Sequence, residues 1–398
     1  MSQSSTSSDN TQSDAPLILH ARVVGNQGGG PDKTVFNSAR YAAPRYRMAA
    51  AYIHPASDSA NADLAPLRQL AAANDCPLHA IPERHALSLA TYQEALRLCR
   101  ELGVSVWHAH DYKTDLLGLA LRRQHPMTLV TTVHGWMPVT HKLALYEAID
   151  RRLLRFYDHV FAVSPPLVNA ARRFGVSEHR LTYLPNGIET HGRPTPPSRG
   201  DARASLELGE DTKHVACIGR LSNEKRLDRA IRVIARLRDA GQAVHLHLIG
   251  EGPQRPVLED AVRRLQLADR VTFHGWQTNI APYLAAADAV LLTSATEGLP
   301  NALLEAMHAG VPVAATPVGG VLDLLAHGRC GVLLDSADED AWPERLAALL
   351  HNTAEREQFI ATAQQQIANR FTFAARMEKV LGTYDTLLSE SQSTRHAA

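Results

Sequence analysis

The 398-residue chain exceeds the size at which one hydrophobic core stops growing, so two domains are expected. Hydrophobic residues at 45% and charged residues at 21% exclude a fibrous or largely disordered protein. Lys plus Arg and Asp plus Glu both number 41, a balance that offers no electrostatic footprint for a nucleic-acid partner.

Residues 1–15 are rich in Ser, Thr, Gln and Asp and lack the basic start and apolar run of a signal peptide, so they are predicted to form a disordered tail. A first domain is predicted over 16–190. Its strands are 17–24, 104–110, 128–134 and 159–164, with helices starting at 31–41 and running over 114–123. The stretch 189–200 holds three prolines and two glycines, which places a linker at 191–204. A second domain, 205–370, repeats the alternation, with strands at 214–218, 245–249, 270–273, 289–293, 311–316 and 331–334 and helices at 226–240 and 253–267. Strand, turn, helix, strand in succession is the mark of βαβ units and a parallel sheet. An amphipathic helix at 373–388 belongs to no strand, and 389–398 reads as a tail.

Charge and cysteine usage add two expectations. Residues 16–190 hold 19 Lys and Arg against 14 Asp and Glu, and part of the excess is Arg122, Arg123, Lys142, Arg151, Arg152, Arg155, Arg172 and Arg173. These are solvated helix faces or, on a sharper reading, a surface for peripheral contact with anionic lipid or a lipid-diphosphate acceptor. Cys76, Cys99, Cys217 and Cys330 form no C-x-x-C pair, which fits a reducing, cytoplasmic compartment. No apolar stretch approaches a membrane span.

Three constellations carry chemistry. The loop Gly25-Asn26-Gln27-Gly28-Gly29-Gly30-Pro31-Asp32-Lys33-Thr34 follows a strand and opens a helix, so its backbone can approach a ligand closely. Lys33 stands where a dinucleotide fingerprint needs its third glycine, and Asp32 where a P-loop needs glycine, so phosphate or sugar contact and a plain turn both remain open. In Gly219-Arg220-Leu221-Ser222-Asn223-Glu224-Lys225, two cations flank a tight loop at a strand's carboxyl end, where ligands of open α/β sheets bind. A guanidinium fork and an ammonium could neutralise a departing diphosphate without metal, or both could be surface cations. In Glu297-Gly298-Leu299-Pro300-Asn301-Ala302-Leu303-Leu304-Glu305, Pro300 suits a helix start, and the following backbone N–H groups suit phosphate. The two carboxylates could accept from sugar and ribose hydroxyls, or serve as the acid and base of a glycoside hydrolase.

The Gly-rich loop, G-R-L-x-x-x-K, E-x7-E and the closing helix, in that order, resemble the retaining family-4 glycosyltransferases of the GT-B fold. Val133-His134-Gly135, Leu184-Pro185-Asn186-Gly187-Ile188, Ile249-Gly250-Glu251-Gly252-Pro253, Val271-Thr272-Phe273-His274-Gly275 and Gly310-Val311-Pro312-Val313 extend the resemblance over roughly 16–388. The resemblance implies an α/β fold of two Rossmann-like, doubly wound domains facing across a cleft, with a crossover helix at 371–388 packing on the first domain. It implies a nucleotide-sugar donor, UDP-linked, and a saccharide or lipid-linked acceptor, in cell-surface polysaccharide or glycolipid synthesis. The anomeric configuration is retained, the leaving phosphate helps deprotonate the acceptor, and neither metal nor other cofactor is required.

Residue by residue, the resemblance gives Arg220 and Lys225 the diphosphate, Glu297 and the following Gly298 the donor sugar, and Glu305 the ribose. His134 lies near the transferred sugar. Gly29 and Gly30 approach the diphosphate, with Gly219, Asn301 and Ala302 also at the donor, and backbone at His274 and Gly275 borders the base beside Trp276. Lys33, His108, His110 and Asp111 are candidates for the acceptor side.

Other signals are discounted. Asp338-Glu339-Asp340 matches a metal-binding D-x-D but reads better as capping and first-turn acids. His108 and His110 share a strand face, as metal ligands could, without further ligands at suggestive spacing. His245 and His247 read as satisfied core. A nucleotide-sugar epimerase or phosphorylase, and an NAD-dependent oxidoreductase using the first loop, are the alternative activities.

Overall fold

The computed structural model describes residues 15–24, 30–56, 60–85, 88–136, 141–190 and 196–396. The chain divides into two compact units, residues 1–185 with 376–398, and residues 186–375.

The first unit is built on seven strands: β1 Leu17–Val23, β2 Arg47–Pro55, β3 Leu78–Glu83, β4 Val104–Ala109, β5 Thr128–Val133, β6 His159–Ala162 and β7 Leu181–Tyr183. They pair in the order β3-β2-β1-β4-β5-β6-β7, every pair parallel. Parallel strands buried on both faces need near-continuous apolar runs, and β5, TLVTTV, is buried throughout. β2 is as deeply buried, but its RMAAAYIHP leans on alanine, a poor strand former, which hides it from a reading of β-branched runs. Trp107 and Tyr157 anchor the core, and Gly118 packs so closely on them that a Cβ there would lie 2.7 Å from the Trp107 ring.

The second unit has six strands: β8 Lys213–Ile218, β9 Val244–Ile249, β10 Val271–Gly275, β11 Ala289–Leu292, β12 Val313–Ala315 and β13 Val332–Leu333. Their order is β10-β9-β8-β11-β12-β13, again all parallel. Helix Leu227–Asp239 buries Leu227, Ala230, Ile231, Ile234 and Leu237, the spacing of one helical face, against this sheet. Asp288, fully buried, accepts from Arg199 Nη2 at 2.5 Å, Arg203 Nη2 at 2.8 Å and the His214 backbone N–H at 2.8 Å.

The structure corrects three expectations. The linker 191–204 contains most of a helix, Arg199–Ser205, whose cap Ser198 accepts from the Asp201 N–H, a signal masked by the neighbouring prolines. The tail at 389–398 is helical as far as His396, because the helix Phe373–His396 outruns its apolar face into polar residues that carry no periodicity. Glu339 and Asp340 are first-turn acids as expected, in the turn Glu339–Ala341, but the capping half fails: Asp338 makes no cap hydrogen bond, and Glu339 pairs with Arg229 and Arg232, and Asp340 with Arg236, along helix Leu227–Asp239. Residues 1–14, Gly25 to Gly29, 191–195 and the last two residues, on which several expectations fell, lie outside the described residues.

Candidate functional site

In open α/β sheets, ligands collect at the carboxyl ends of the strands where the strand order reverses. In the second unit that point lies between β8 and β11, and the two motif clusters are the loops leaving these two strands. Gly219, Arg220 and Lys225 line one depression together with Leu292, Thr293 and Ser294. Arg220 is exposed at its rim. Lys225, 20% exposed, donates from Nζ to Glu297 Oε1 at 2.6 Å, and the same oxygen accepts from Ser294 Oγ at 2.6 Å. A carboxylate held by two donors fixes the ammonium beside it, so the cation is oriented before any anion arrives.

The backbone around these groups is tied at successive residues. Thr293 Oγ1 donates to the Lys225 and Arg226 carbonyls at 3.1 and 2.9 Å, and the Ala295 N–H donates to Glu224 O at 2.8 Å. Gly320 N–H donates to Gly298 O at 2.7 Å, and Asn186 Nδ2 to Leu299 O at 2.9 Å. Gly319, at φ +58°, lets the turn lie against Glu297; a Cβ there would sit 1.9 Å from the Glu297 carbonyl oxygen. Helix Asn301–His308 follows, with Asn301 and Ala302 half-buried in its first turn and Glu305 buried one turn in. The Asn301 Oδ1 is buried without a hydrogen-bond partner.

At the end of β10, His274 is half-buried and its ring meets Tyr283 edge-on, with centroids 4.8 Å apart. Gly275 has φ +69° and accepts from the Gly250 N–H at 2.8 Å, which ties this strand end to the turn after β9. Trp276 is 56% exposed.

In the first unit the strand order reverses between β1 and β4. Gly30 opens helix Gly30–Ala42, and Lys33 is half-buried in its first turn. Gly29 lies outside the described residues. Asp32, the residue that spoils the P-loop, is buried and structural: it accepts from Tyr52 Oη at 2.9 Å and pairs with Arg22 at 3.1 Å. Asp111 caps helix Tyr112–Leu121 through the Lys113 and Thr114 N–H groups, and its other oxygen accepts from the Val23 N–H at 2.7 Å.

The strand histidines separate by role. His108 is buried, and both its nitrogens are bonded to protein, Nδ1 to Tyr384 Oη at 2.5 Å and Nε2 to Thr132 Oγ1 at 2.7 Å. This makes it a packing group rather than a ligand-facing one. His110 bridges His20 Nδ1 at 2.9 Å and His134 Nε2 at 3.1 Å. Burial, with the neighbouring His108, lowers His110 far below the usual histidine range. Burial, with Arg22 and Arg376, does the same to His134, so both rings are neutral near pH 7.

His20 is the third member of a histidine group with His108 and His110 whose ligand-capable atoms lie within 4.8 Å of one another. The rings stack, however, and five of their six nitrogens are bonded to one another, His134, Tyr384 and Thr132, leaving His20 Nε2 buried without a partner. Spacing along the chain could not reveal His20; only the pairing of β1 with β4 sets it beside His108. Asn186, to which its motif assigns no role, ties the loop before helix Asn301–His308 through its bond to Leu299.

Two family models match. The one described as glycosyl transferases group 1 covers residues 198–366, and glycosyltransferase family 4 covers 29–191. N-acetyl-α-D-glucosaminyl L-malate synthase of Bacillus anthracis is 31% identical over 305 residues, 75% of this chain and 78% of that protein. The chain belongs to the group 1, family 4 glycosyltransferases. The lipopolysaccharide core biosynthesis glycosyltransferase LpsD of Rhizobium meliloti is 32% identical over 196 residues, 49% of this glycosyltransferase-family chain and 55%, about half, of LpsD. Among solved structures, Anabaena HepE in complex with UDP-glucose superposes with a TM-score of 0.81 at 21% identity, covering 93% of this chain and 99% of that one. The two parallel-sheet units are thus those of the GT-B class.

Proposed function

We propose that this family member transfers a glycosyl group from a UDP-sugar to a saccharide or lipid-linked acceptor, with retention of configuration and without a metal ion. Its place is the building of cell-surface polysaccharide or glycolipid at the cytoplasmic face of the membrane. The observation that carries the reading is Lys225, held by Glu297 in the same depression that Arg220 borders, at the reversal point of the second sheet.

As the bond from the anomeric carbon to the diphosphate lengthens, negative charge grows on the phosphate oxygens. The ammonium held by Glu297 stabilises that charge without reorganisation and the Arg220 guanidinium adds to it, and removing one such group costs about 10²–10³ in rate. The positive end of helix Asn301–His308, at Asn301 and Ala302, favours the same charge. Glu297 then takes donor-sugar hydroxyls, and buried Glu305 the ribose. HepE has been crystallised with UDP and with UDP-glucose, which supports uridine as the nucleoside.

A peripheral lipid contact fits one surface of the first unit. Leu145, Ile149 and Phe156 are 60%, 43% and 48% exposed at i, i+4, i+11 spacing, beside exposed Arg152 and Arg155. Arg122 and Arg172, by contrast, are paired with Asp158 and Glu178. No helix among the described residues is long and apolar enough to cross a membrane.

The test is incubation with a panel of UDP- and GDP-sugars, with and without a saccharide acceptor, in EDTA. Acceptor-dependent product and its loss in Lys225→Ala and Arg220→Ala are expected. Wild-type turnover in both variants, or isomerised sugar formed without acceptor, would reject the reading.

A further inference from the structure

Three histidines of the second unit form a line across its sheet that the diphosphate site does not use. His214 at the start of β8 accepts or donates through Nδ1 to His247 Nε2 on β9 at 3.0 Å, and His247 Nδ1 meets His274 Nε2 on β10 at 2.9 Å. The far end decides the direction of every bond. His214 Nε2 lies 2.9 Å from the Gly209 carbonyl oxygen, which can only accept, so the proton is on Nε2. A neutral imidazole carries one N–H, so His214 Nδ1 is a lone pair and His247 must donate to it from Nε2. His247 Nδ1 is then a lone pair in turn, and His274 donates to it from Nε2. The lone pair left over is on His274 Nδ1. Among the described residues nothing is hydrogen-bonded to that atom, and it is not among the buried polar atoms lacking a partner, so it opens to solvent.

We infer that His214 and His247 are positioning residues that lock His274 in the tautomer with an unprotonated Nδ1, making it a fixed acceptor for a ligand N–H or O–H at the carboxyl end of β10. Burial supports this by holding all three rings neutral: His247 is lowered to about 3, and His214 and His274 are lowered as well. Tyr283 packs edge-on against the His274 ring, and Gln277 Nε2 donates to the His274 carbonyl at 2.8 Å, so ring and backbone are both held. The chemistry selected is a base edge with an N–H, such as the imide of uracil or the lactam of guanine. A group offering only carbonyl or phosphate oxygens is rejected there. This deepens the donor reading above and rests on it for the ligand, although the tautomer does not.

The experiment is long-range ¹H–¹⁵N correlation of the histidine-labelled full chain, with His274 assigned from a His274→Gln variant, followed by titration with UDP, GDP and free pyrophosphate. The wild-type protein is expected to show His274 as the Nε2–H tautomer at pH 7, with Nδ1 moving when UDP or GDP binds and staying still with pyrophosphate. His274→Leu is expected to weaken UDP about 3- to 10-fold, the worth of one ordinary hydrogen bond, while His274→Gln, which keeps an acceptor, restores part of it. His247→Leu, remote from the ligand, is expected to release His274 into mixed tautomers. A His274 Nδ1–H signal in the free protein would overturn the relay. A nucleotide that binds without moving Nδ1, or wild-type affinity in His274→Leu, would overturn the acceptor role while leaving the diphosphate site intact. A chain that bound none of these anions would count against the donor reading, and the tautomer would still decide the relay.

Discussion

Gly250→Ala tests how tightly the loop proposed to hold the diphosphate is built. Gly250 has φ +141°, and a Cβ there would lie 1.9 Å from the Gly219 carbonyl oxygen and 2.8 Å from its carbon. Real Cβ contacts essentially never fall under 3.0 Å, so the Gly219 carbonyl must retreat by the difference, about 1.1 Å. That carbonyl immediately precedes Arg220, and the Gly219 N–H is itself pinned to Ile249 O at 2.9 Å, so the loop cannot yield without moving its cations. A misplacement of about 1 Å in a positioning group can cost roughly 10²-fold in rate. Backbone strain at this φ adds about 1–3 kcal/mol of instability. The assay is donor-dependent product formation alongside urea unfolding. Gly200→Ala is the control, since a Cβ there meets nothing within 4 Å and replaces glycine in a helix. Gly250→Ala with wild-type kcat/KM and stability would refute the claim that this contact sets the loop.

Two further outcomes concern stability. Asp288→Ala leaves buried Arg203 with only the exposed Glu210 carboxylate and the Ala286 carbonyl and unties helix Arg199–Ser205, so a loss of about 3 kcal/mol is expected in urea unfolding; a loss under about 1 kcal/mol would contradict the buried pair. Acid should also destabilise the fold. Burial holds His20 and His247 at about 3 and His159 at about 4, below their unfolded value of 6.5, so protons bind the unfolded chain first as pH falls. Each such ring removes up to about 1.4 kcal/mol per pH unit from 6.5 down to its folded value. Asp115, raised by burial and by Asp150, works in the opposite direction. A urea midpoint at pH 5.5 equal to or above that at pH 7.5 would contradict this balance.

Much of the fold was legible because a buried parallel strand must be written in apolar residues. The lengths of β1, β4, β5, β8 and β9 follow from those runs almost to the residue. Alanine-rich β2, three-residue β7 and the helix after the prolines escaped, since none carries a periodic apolar signal. The site was legible as motifs but not as contacts. Lys225 and Glu297 are 72 residues apart, and Asn186 and Leu299 are 113, so only the strand order brings them together. His20 lies 88 residues from His108, and the histidine line through His214, His247 and His274 depends on the register of three strands. A single sequence does not print that register.

The most direct measurement is calorimetric titration of UDP and of uridine, both in EDTA, into the wild-type chain and into Lys225→Ala and Arg220→Ala. If these two cations receive the diphosphate, wild type prefers UDP over uridine strongly. Each variant then loses about 10- to 100-fold of that preference, the worth of a hydrogen bond to a charged group, while uridine affinity barely moves. Equal preference in wild type and both variants, or UDP binding only when a divalent metal is restored, would contradict the account.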